Sequence, residues 1–198
     1  KRQLRTDLNI SENDFVFVFV GRLVGDKGIN ELVEVFTKMS KTHTNTKLVL
    51  VGPLETDLDP LEPNTLNEIE WNKEISYVGF QNDVRPYFAI SDVLVFLSYR
   101  EGFPNVVMQA GAMGLLSIVT DINGCNEIIK SGVNGIIIPV KDIQATYNAM
   151  RKLVMDQSYY DKLQGKSKEM IVNKYSQTEL WNTLLKEYNS FLEFNINV

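Results

Sequence analysis

The sequence is poor in the residues that form disulfides and metal sites. Its 198 residues include one cysteine and one histidine, so an internal disulfide is excluded and a cysteine and histidine metal cluster is not indicated. Lysine and arginine number 20 against 25 acidic residues, a formal net charge of −5, which argues against a nucleic-acid partner. The chain also lacks an apolar run of the ~18 residues that a transmembrane helix needs, and its charged start lacks an apolar signal core. Because the first residue is not Met, we expect a fragment of a larger protein.

What the sequence does contain is a series of short apolar runs. Residues 15–20, FVFVFV, are apolar at every position, which indicates a strand covered on both faces. Similar runs follow at 47–51, 75–80, 93–98, 117–120 and 135–139. Helical patterns lie between them, at about 28–40, 82–90, 104–114, 124–131 and 142–155, and again over 158–192. This alternation predicts an α/β fold, a Rossmann-like doubly wound parallel sheet of about six strands with C-terminal helices. The acidic stretch 55–64 is predicted to be a mobile loop.

Glycines and polar residues follow five of the predicted strands. They lie at 21–22, 52–53, 79–80, 98–105 and 121–126. Open parallel sheets bind their ligands at the carboxyl ends of the strands, so we expect these segments to share one edge and to form the site. His43 falls in a loop at the opposite edge and is predicted to be a solvated residue without a catalytic role. Phe15, Phe17, Phe19 and Phe96 lie within strands and are predicted to be core residues.

The segment GRLVGDKG, residues 21–28, has the composition of an anion site. It places Arg22 and Lys27 around a glycine-flanked turn that opens a helix, so two cations and free backbone N–H groups are expected to face one space. The segment matches neither the GxGxxG fingerprint nor a P-loop, which disfavours a dinucleotide-dependent dehydrogenase. The alternative to an anion site is a tight turn with two solvated basic residues.

The segment REGFPNVVMQAGAMG, residues 100–114, supplies the second half of the predicted site. Pro104 suits the first turn of a helix, so Gly102 and Phe103 should lie just before the positive helix end, where a phosphate is stabilised. Glu101 falls outside this helix, and Gln109 projects roughly 7 Å along it. The two side chains are therefore expected to contact opposite ends of one elongated ligand.

Taken together, these segments resemble a known family. GR with a following lysine-glycine pair, VG-P, YVGF, EGFPNVVMQA and TD-x-x-G-x-x-E-I-I occur in the order and spacing of the donor-binding half of retaining family 4 glycosyltransferases with the GT-B fold. The resemblance covers about residues 15–155. It implies a nucleotide-diphosphate sugar as donor, a glycan or lipid-linked acceptor, and a further N-terminal domain of the same protein. It implies neither a metal nor another cofactor. The usual setting of this family is bacterial polysaccharide biosynthesis, so the resemblance implies a location in the cytoplasm or at the inner face of the membrane.

The resemblance also implies roles for individual residues. Arg22 and Lys27 are expected to bind the diphosphate, and Glu101 is expected to contact hydroxyl groups of the donor sugar. We take these three as the catalytic residues. The expected donor-binding residues are Gly21, Gly52, Val78, Gly79, Phe80, Val84, Phe103, Pro104, Asn105, Val106 and Gln109. The base, the sugar and the acceptor are not specified by these motifs.

Gln109 is the departure from the family pattern, which has a second acid at this position that accepts hydrogen bonds from the ribose diol. A glutamine accepts one hydrogen bond and donates another, so we expect nucleotide binding to persist with altered selectivity. The alternative is a non-catalytic module that binds sugar nucleotides or a protein partner.

Other candidates have a structural reading beside the functional one. Asp121, Asn126 and Glu127 either close over the sugar or form an ordinary turn and helix surface, and Tyr99 with Arg100 either reaches the ligand or is an exposed pair. Cys125 is expected near the site without a nucleophilic role, because no histidine lies nearby to activate it. Residues 1–14 are predicted to be a linker or helix remnant from a missing N-terminal domain, and residues 15–175 are predicted to be the donor-binding domain. Residues 176–198 are predicted to be a tail whose helix packs either on the N-terminal domain or on its own sheet.

Overall fold

The backbone forms one parallel sheet with helices on both faces. The computed structural model describes residues 1–196, and the side chains at 177, 179, 180 and 192–196 lie outside that description, as do residues 197–198 of the predicted tail. The strands are β1 (Phe15–Val20), β2 (Thr46–Val51), β3 (Ile75–Tyr77), β4 (Val93–Phe96), β5 (Leu116–Thr120) and β6 (Gly135–Ile138). Their order in the sheet is β3-β2-β1-β4-β5-β6, and every pairing is parallel. The predicted Rossmann-like fold is therefore confirmed.

Nine α-helices accompany these strands within residues 1–196. They are α1 (Arg2–Asp7), α2 (Ile29–Ser40), α3 (Pro63–Trp71), α4 (Arg85–Ile90), α5 (Asn105–Ala112), α6 (Cys125–Ile128), α7 (Ile143–Met155), α8 (Gln157–Lys174) and α9 (Gln177–Ile196). A 3-10 turn, Gly25–Lys27, precedes α2. The C-terminal helical region predicted as one stretch is two helices, and α3 lies where no helix was predicted.

The aromatic residues of β1 and β4 form the centre of the core, as predicted. Phe17 and Phe19 are fully buried. Phe17 meets Phe36 of α2 edge-on at 6.5 Å, and Phe19 stacks on Phe96 at 6.1 Å between ring centroids. Phe15 is half-buried at the start of β1. Each buried aromatic contributes roughly 1.5–3 kcal/mol, which explains why an entirely apolar run is stable here.

The strand order reverses between β1 and β4, and this reversal sets the place of the predicted site. β1 pairs with β2 on one side and with β4 on the other, so the loops that leave β1 and β4 diverge from a common point. Ligands bind at such a switch point in doubly wound sheets. At the same edge a Cβ atom on Gly52 would lie 1.8 Å from the backbone oxygen of Gly21, so only glycine permits the ends of β1 and β2 to approach this closely.

The first residues, predicted to be a linker or helix remnant, form α1 and are bound to the end of α4 and to the segment before β1. The Arg5 guanidinium donates to the backbone oxygen of Ile90 at 2.7 Å and to that of Asp14 at 2.9 Å. Ile10 is buried. These contacts attach α1 to the end of α4.

The segment 55–64, predicted to be a mobile loop, is fixed at two points. The amide of Gly25 donates to the backbone oxygen of Asp59 at 2.9 Å, and the amide of Asp26 donates to the Asp59 carboxylate. Pro63 starts α3 at a position where its missing N–H costs nothing. Asp59 of this segment thus accepts from two backbone amides of the turn before α2, and mobility of the segment stays a prediction.

The last two helices differ in how they pack. In α8, Ile171 is buried, and a Cβ atom on Gly111 of α5 would approach its side chain to 2.6 Å. In α9, Trp181, Leu185 and Tyr188 are all more than half exposed, at 59%, 61% and 65%. They share one face of the helix because they are four and three positions apart. No helix among the described residues is long and apolar enough to cross a membrane.

Candidate functional site

An ion pair lies at the switch point of the sheet. Lys27 Nζ is 2.6 Å from Glu101 Oε1, and the two side chains are only 15% and 19% exposed. The 3-10 turn after β1 places the lysine, and the loop after β4 places the glutamate. The pairing therefore brings together two residues that sequence analysis assigned to the site from separate motifs.

Ser98, at the end of β4, connects the two loops that carry this pair. Its side chain is fully buried, its Oγ donates to the backbone oxygen of Arg100 at 3.1 Å, and Lys27 Nζ approaches that Oγ to 3.5 Å. The amide of Tyr99 donates to the backbone oxygen of Asp26 at 2.9 Å. Sequence analysis missed this connection. The signal was present, since Ser98 is the polar residue that ends an otherwise apolar run.

Arg22 lies on the first loop but pairs with a different acid. Its Nη1 is 3.0 Å from Oε2 of Glu55, and the arginine side chain is 50% exposed. Arg100 also faces a carboxylate, that of Asp26, at 3.7 Å. Arg22, Lys27 and Arg100, three of the cations at this edge of the sheet, thus each face one acidic side chain. Glu55 was not predicted, because it lies in the segment expected to be mobile.

The backbone amides of the 21–28 segment are less available than the sequence suggested. Those of Gly25 and Asp26 donate to Asp59, and that of Lys27 donates to the backbone oxygen of Val24 at 3.3 Å. The expectation of an amide-lined anion site in this turn is therefore wrong for these three groups, because the 3-10 turn and Asp59 use them. Of the groups predicted to bind an anion in this segment, the two basic side chains remain, and each is paired with a carboxylate.

The start of α5 is held against the next loop along the sheet. Pro104 is buried and directly precedes the helix, which begins at Asn105. A Cβ atom on Gly124, whose φ is +76°, would lie 2.5 Å from the backbone oxygen of Gly102. Phe103 is 40% exposed and meets Tyr175 edge-on at 5.6 Å. The first amides of an α-helix have no partner within the helix, so those of Asn105 and Val106 suit an anion.

The end of β3 completes the edge on the other side. The amide of Gly52 donates to the backbone oxygen of Gly79 at 2.9 Å, and the amide of Val78 donates to that of Leu50 at 3.0 Å. Gly79 has a φ of +70°, and a Cβ atom there would meet nothing within 4 Å. Phe80, just beyond it, is 68% exposed. Val84 is half-buried at the start of α4, and Gln109 is exposed on α5.

Cys125 lies beside the ion pair. Its thiol is fully buried, and that burial, together with the negative charge of Glu101, raises its pKa to about 12 despite the opposing effect of Lys27. The thiol is therefore protonated at neutral pH and is a poor nucleophile, as predicted.

The other minor candidates make local contacts. Asn126 donates to the Asp121 carboxylate at 3.0 Å, and Glu127 is exposed. Burial and a hydrogen bond to Glu31 raise the pKa of Tyr99. His43 lies in its loop beside Thr42. These contacts favour the structural reading of Asp121, Asn126 and Glu127, whereas Tyr99 is half-buried on Glu31 and is not part of an exposed pair.

The structure thus joins some predicted site residues and leaves others apart. Lys27 contacts Glu101, and the three glycines at 21, 52 and 79 adjoin, whereas Arg22 turns to Glu55. A hollow of about 580 Å³ includes two predicted site residues, Phe103 and Asn105, in its lining. It is lined by Phe103, Asn105, Met108, Lys174, Tyr175, Ser176 and Thr183. Within the described residues no group of three or more histidine, cysteine or acidic side chains is arranged to hold a metal ion.

Comparison with known proteins places this arrangement in context. A family model described as glycosyl transferases group 1 matches residues 1–170. The chain is 30% identical over 186 residues to the capsular polysaccharide biosynthesis glycosyltransferase CapM of Staphylococcus aureus, which covers 91% of the chain and 47% of CapM. It is 29% identical over 171 residues to an Escherichia coli UDP-Gal:alpha-D-GlcNAc-diphosphoundecaprenol alpha-1,3-galactosyltransferase, covering 85% of the chain and 44% of that enzyme. The chain therefore spans about half the length of these curated relatives.

Solved structures agree on the fold. Anabaena HepE in complex with UDP-glucose superposes with a TM-score of 0.84 at 19% identity, over 95% of this chain and 52% of HepE. The C-terminal domain of the LpcC glycosyl transferase group 1 family protein from Francisella tularensis gives a TM-score of 0.75 at 21% identity, over 88% of this chain and 92% of that domain.

Proposed function

Because the chain belongs to the family of glycosyl transferases group 1, we propose that it is the donor-binding half of a retaining family 4 glycosyltransferase with the GT-B fold. The donor is a nucleotide-diphosphate sugar. The observation that carries the proposal is the Lys27–Glu101 ion pair at the switch point of the sheet. A donor whose diphosphate reaches Lys27 and whose sugar reaches Glu101 engages both members of one pair.

The chemistry assigned to this site follows from charge. When the nucleoside diphosphate leaves, negative charge develops on its phosphate oxygens and positive charge on the sugar. Fixed positive groups stabilise the leaving diphosphate without reorganisation. Lys27, Arg22 and the start of α5 supply these groups, while Glu101 accepts hydrogen bonds from sugar hydroxyls. No metal ion or other cofactor is needed in this proposal, because the cations are side chains.

The remaining donor contacts follow the edge of the sheet. Val78, Gly79, Phe80 and Val84 hold the base, mainly through the backbone, and Gly21 and Gly52 leave room for the donor. The segment from Phe103 to Val106 holds the sugar and the phosphates. Gln109 hydrogen-bonds the ribose diol, with one hydroxyl accepting from its amide group and the other donating to it.

The acceptor is a glycan or a lipid-linked sugar, and its contacts come from an N-terminal domain of the same protein. Two observations support this part of the proposal. The chain spans about half of its curated relatives, and α9 exposes Trp181, Leu185 and Tyr188 on one face. An exposed apolar face of this kind is typical of a surface that packs against another part of a protein. The proposed location is the cytoplasm or the inner face of the membrane.

Ligand-dependent thermal unfolding tests the proposal. A ligand at one hundred times its Kd stabilises a protein by about 2.7 kcal/mol, so UDP or GDP should raise the Tm of the chain, and NAD should not. Lys27→Met should remove most of this rise, measured against the variant's own ligand-free Tm. Lys38→Met is the matched control, because Lys38 is on α2, lies over the Tyr147 ring of α7 and is not one of the predicted site residues. Stabilisation by NAD alone would contradict the proposal.

Gln109 favours a second candidate, a non-catalytic sugar-nucleotide-binding module, because the second acid of the family motif is replaced. Both candidates bind a nucleotide sugar, so binding alone does not separate them. The assay that does is release of UDP or GDP from a panel of nucleotide sugars by the longer protein with glycan acceptors. Binding without release would favour the module.

A further inference from the structure

The contact between Arg22 and Glu55 is unusual for a predicted phosphate ligand. Arg22 Nη1 lies 3.0 Å from Oε2 of Glu55, with the two side chains 50% and 31% exposed. A guanidinium recognises carboxylates and phosphates through the same N–H groups. A carboxylate of the protein therefore accepts from a guanidinium that the proposed function assigns to the diphosphate.

Glu55 is held in this place by its backbone. Its amide donates to the backbone oxygen of Leu23 at 3.4 Å, and the amide of Leu23 donates to that of Pro53 at 2.8 Å. The amide of Leu54 donates to the Tyr77 hydroxyl at 3.1 Å. These bonds extend the parallel pairing of β1 and β2 past the strand ends, with Leu23 opposite Leu54. The backbone of Glu55 is thus fixed beside the segment that carries Arg22.

We propose that Glu55 sets the affinity of the site for diphosphate by competing for Arg22. The inference rests on the proposed function, since it requires a diphosphate at Arg22. A bound diphosphate displaces the Glu55 carboxylate from the guanidinium and then has a negative charge as its neighbour. Both effects weaken binding and hasten release of the nucleoside diphosphate after transfer.

The other two acids that pair with cations at this edge, Glu101 and Asp26, are less suited to that role. Glu101 is paired with Lys27 in a largely buried setting, and the proposed function already assigns it to the sugar. Asp26 lies 3.7 Å from Arg100, whose side chain is 86% exposed, and neither is assigned to the diphosphate. Glu55 is the acid in contact with Arg22 itself.

Binding of UDP, inorganic pyrophosphate and uridine to the whole chain, measured by titration calorimetry, tests the inference. Glu55→Gln keeps the shape of the side chain and removes its charge. We expect this variant to bind UDP and pyrophosphate about two- to tenfold more tightly, as for the loss of one screened charge contact, and to bind uridine unchanged. The difference should shrink as salt is raised, because salt screens exposed charges.

Asp57→Asn is the matched control, since Asp57 is an exposed acid in the same segment and is hydrogen-bonded to Thr56. Equal tightening in this variant would show a general effect of net charge and would overturn the inference. If Glu55→Gln bound UDP as tightly as the unmodified chain or more weakly, and the unmodified chain bound UDP, the inference would be overturned and the proposed function would stand. If the unmodified chain bound none of UDP, GDP and pyrophosphate, the proposed function would fall with it.

Discussion

Breaking the Lys27–Glu101 pair should cost stability in a way that a double-mutant cycle can measure. At 2.6 Å and an effective dielectric constant of about 20, the gross attraction is about 6 kcal/mol. The cost of removing both charges from water offsets much of it. With side chains 15% and 19% exposed, we expect a coupling energy of about 1–3 kcal/mol.

The cycle uses Lys27→Met, Glu101→Gln and the double variant. Each single substitution leaves one poorly hydrated charge without its partner, which typically costs about 1–3 kcal/mol. The double variant removes both charges, so its loss should be well below the sum of the two. Free energies of unfolding from urea titration give the four corners, provided that unfolding is two-state.

The pair between Arg85 and Asp83 is the control. Its atoms are 2.8 Å apart, but the side chains are 76% and 47% exposed, so Arg85→Gln and Asp83→Asn should show no measurable coupling. A coupling energy below about 0.5 kcal/mol for Lys27 and Glu101, or one no larger than that of the exposed pair, would refute the reasoning that burial makes this contact strong.

Three further predictions concern neighbouring residues. The pKa of Cys125 is about 12 in the folded chain against an ordinary 9.0, so the folded state keeps the thiol proton to a higher pH than the unfolded state does. The contribution of the thiol to stability therefore falls as pH rises above 9. Cys125→Ala should flatten the pH dependence of the free energy of unfolding between pH 9 and 11. Gly124→Ala should lower the Tm more than Gly132→Ala. Both glycines have left-handed φ angles, +76° and +78°, but only a Cβ atom on Gly124 would lie 2.5 Å from the backbone oxygen of Gly102. Equal losses of Tm would mean that the loop at Gly102 moves to accommodate the Cβ atom. Gln109→Glu should change UDP affinity measurably but by less than about tenfold, or 1.4 kcal/mol, and calorimetry that found no change would remove Gln109 from the site.

The four central strands were predictable because each is short, mostly apolar and largely buried, whereas the edge strands β3 and β6 are only partly buried. β1 was predicted at its observed bounds, and β2, β5 and β6 within one residue. β3 is shorter than predicted: it ends at Tyr77, two residues before Gly79 adopts a left-handed φ. α3 was missed because its sequence, PNTLNEIEW, has a weak apolar period and follows an acidic, proline-containing stretch. Pro63 was the available signal, as a first-turn residue.

The two halves of the candidate site were predictable, but their pairing partners were not. Lys27 and Glu101 both follow strands, and that rule places them on one edge of the sheet. That Arg22 reaches Glu55 depends on the extension of β1 and β2 beyond Val20 and Val51, which has no apolar pattern of its own. Long charged side chains in loops take their orientation from such tertiary details.

The neighbours β1 and β4 are separated in the chain by α2, β2, α3, β3 and α4. Lys27 and Glu101 lie 74 positions apart, so their contact closes a long loop, and contacts of large sequence separation are slow to form. We expect the pair to form only after β2, β3 and the helices that connect them have packed. Recovery of nucleotide binding during refolding should therefore lag behind recovery of helical circular dichroism, which makes ligand binding a kinetic reporter of the last tertiary step.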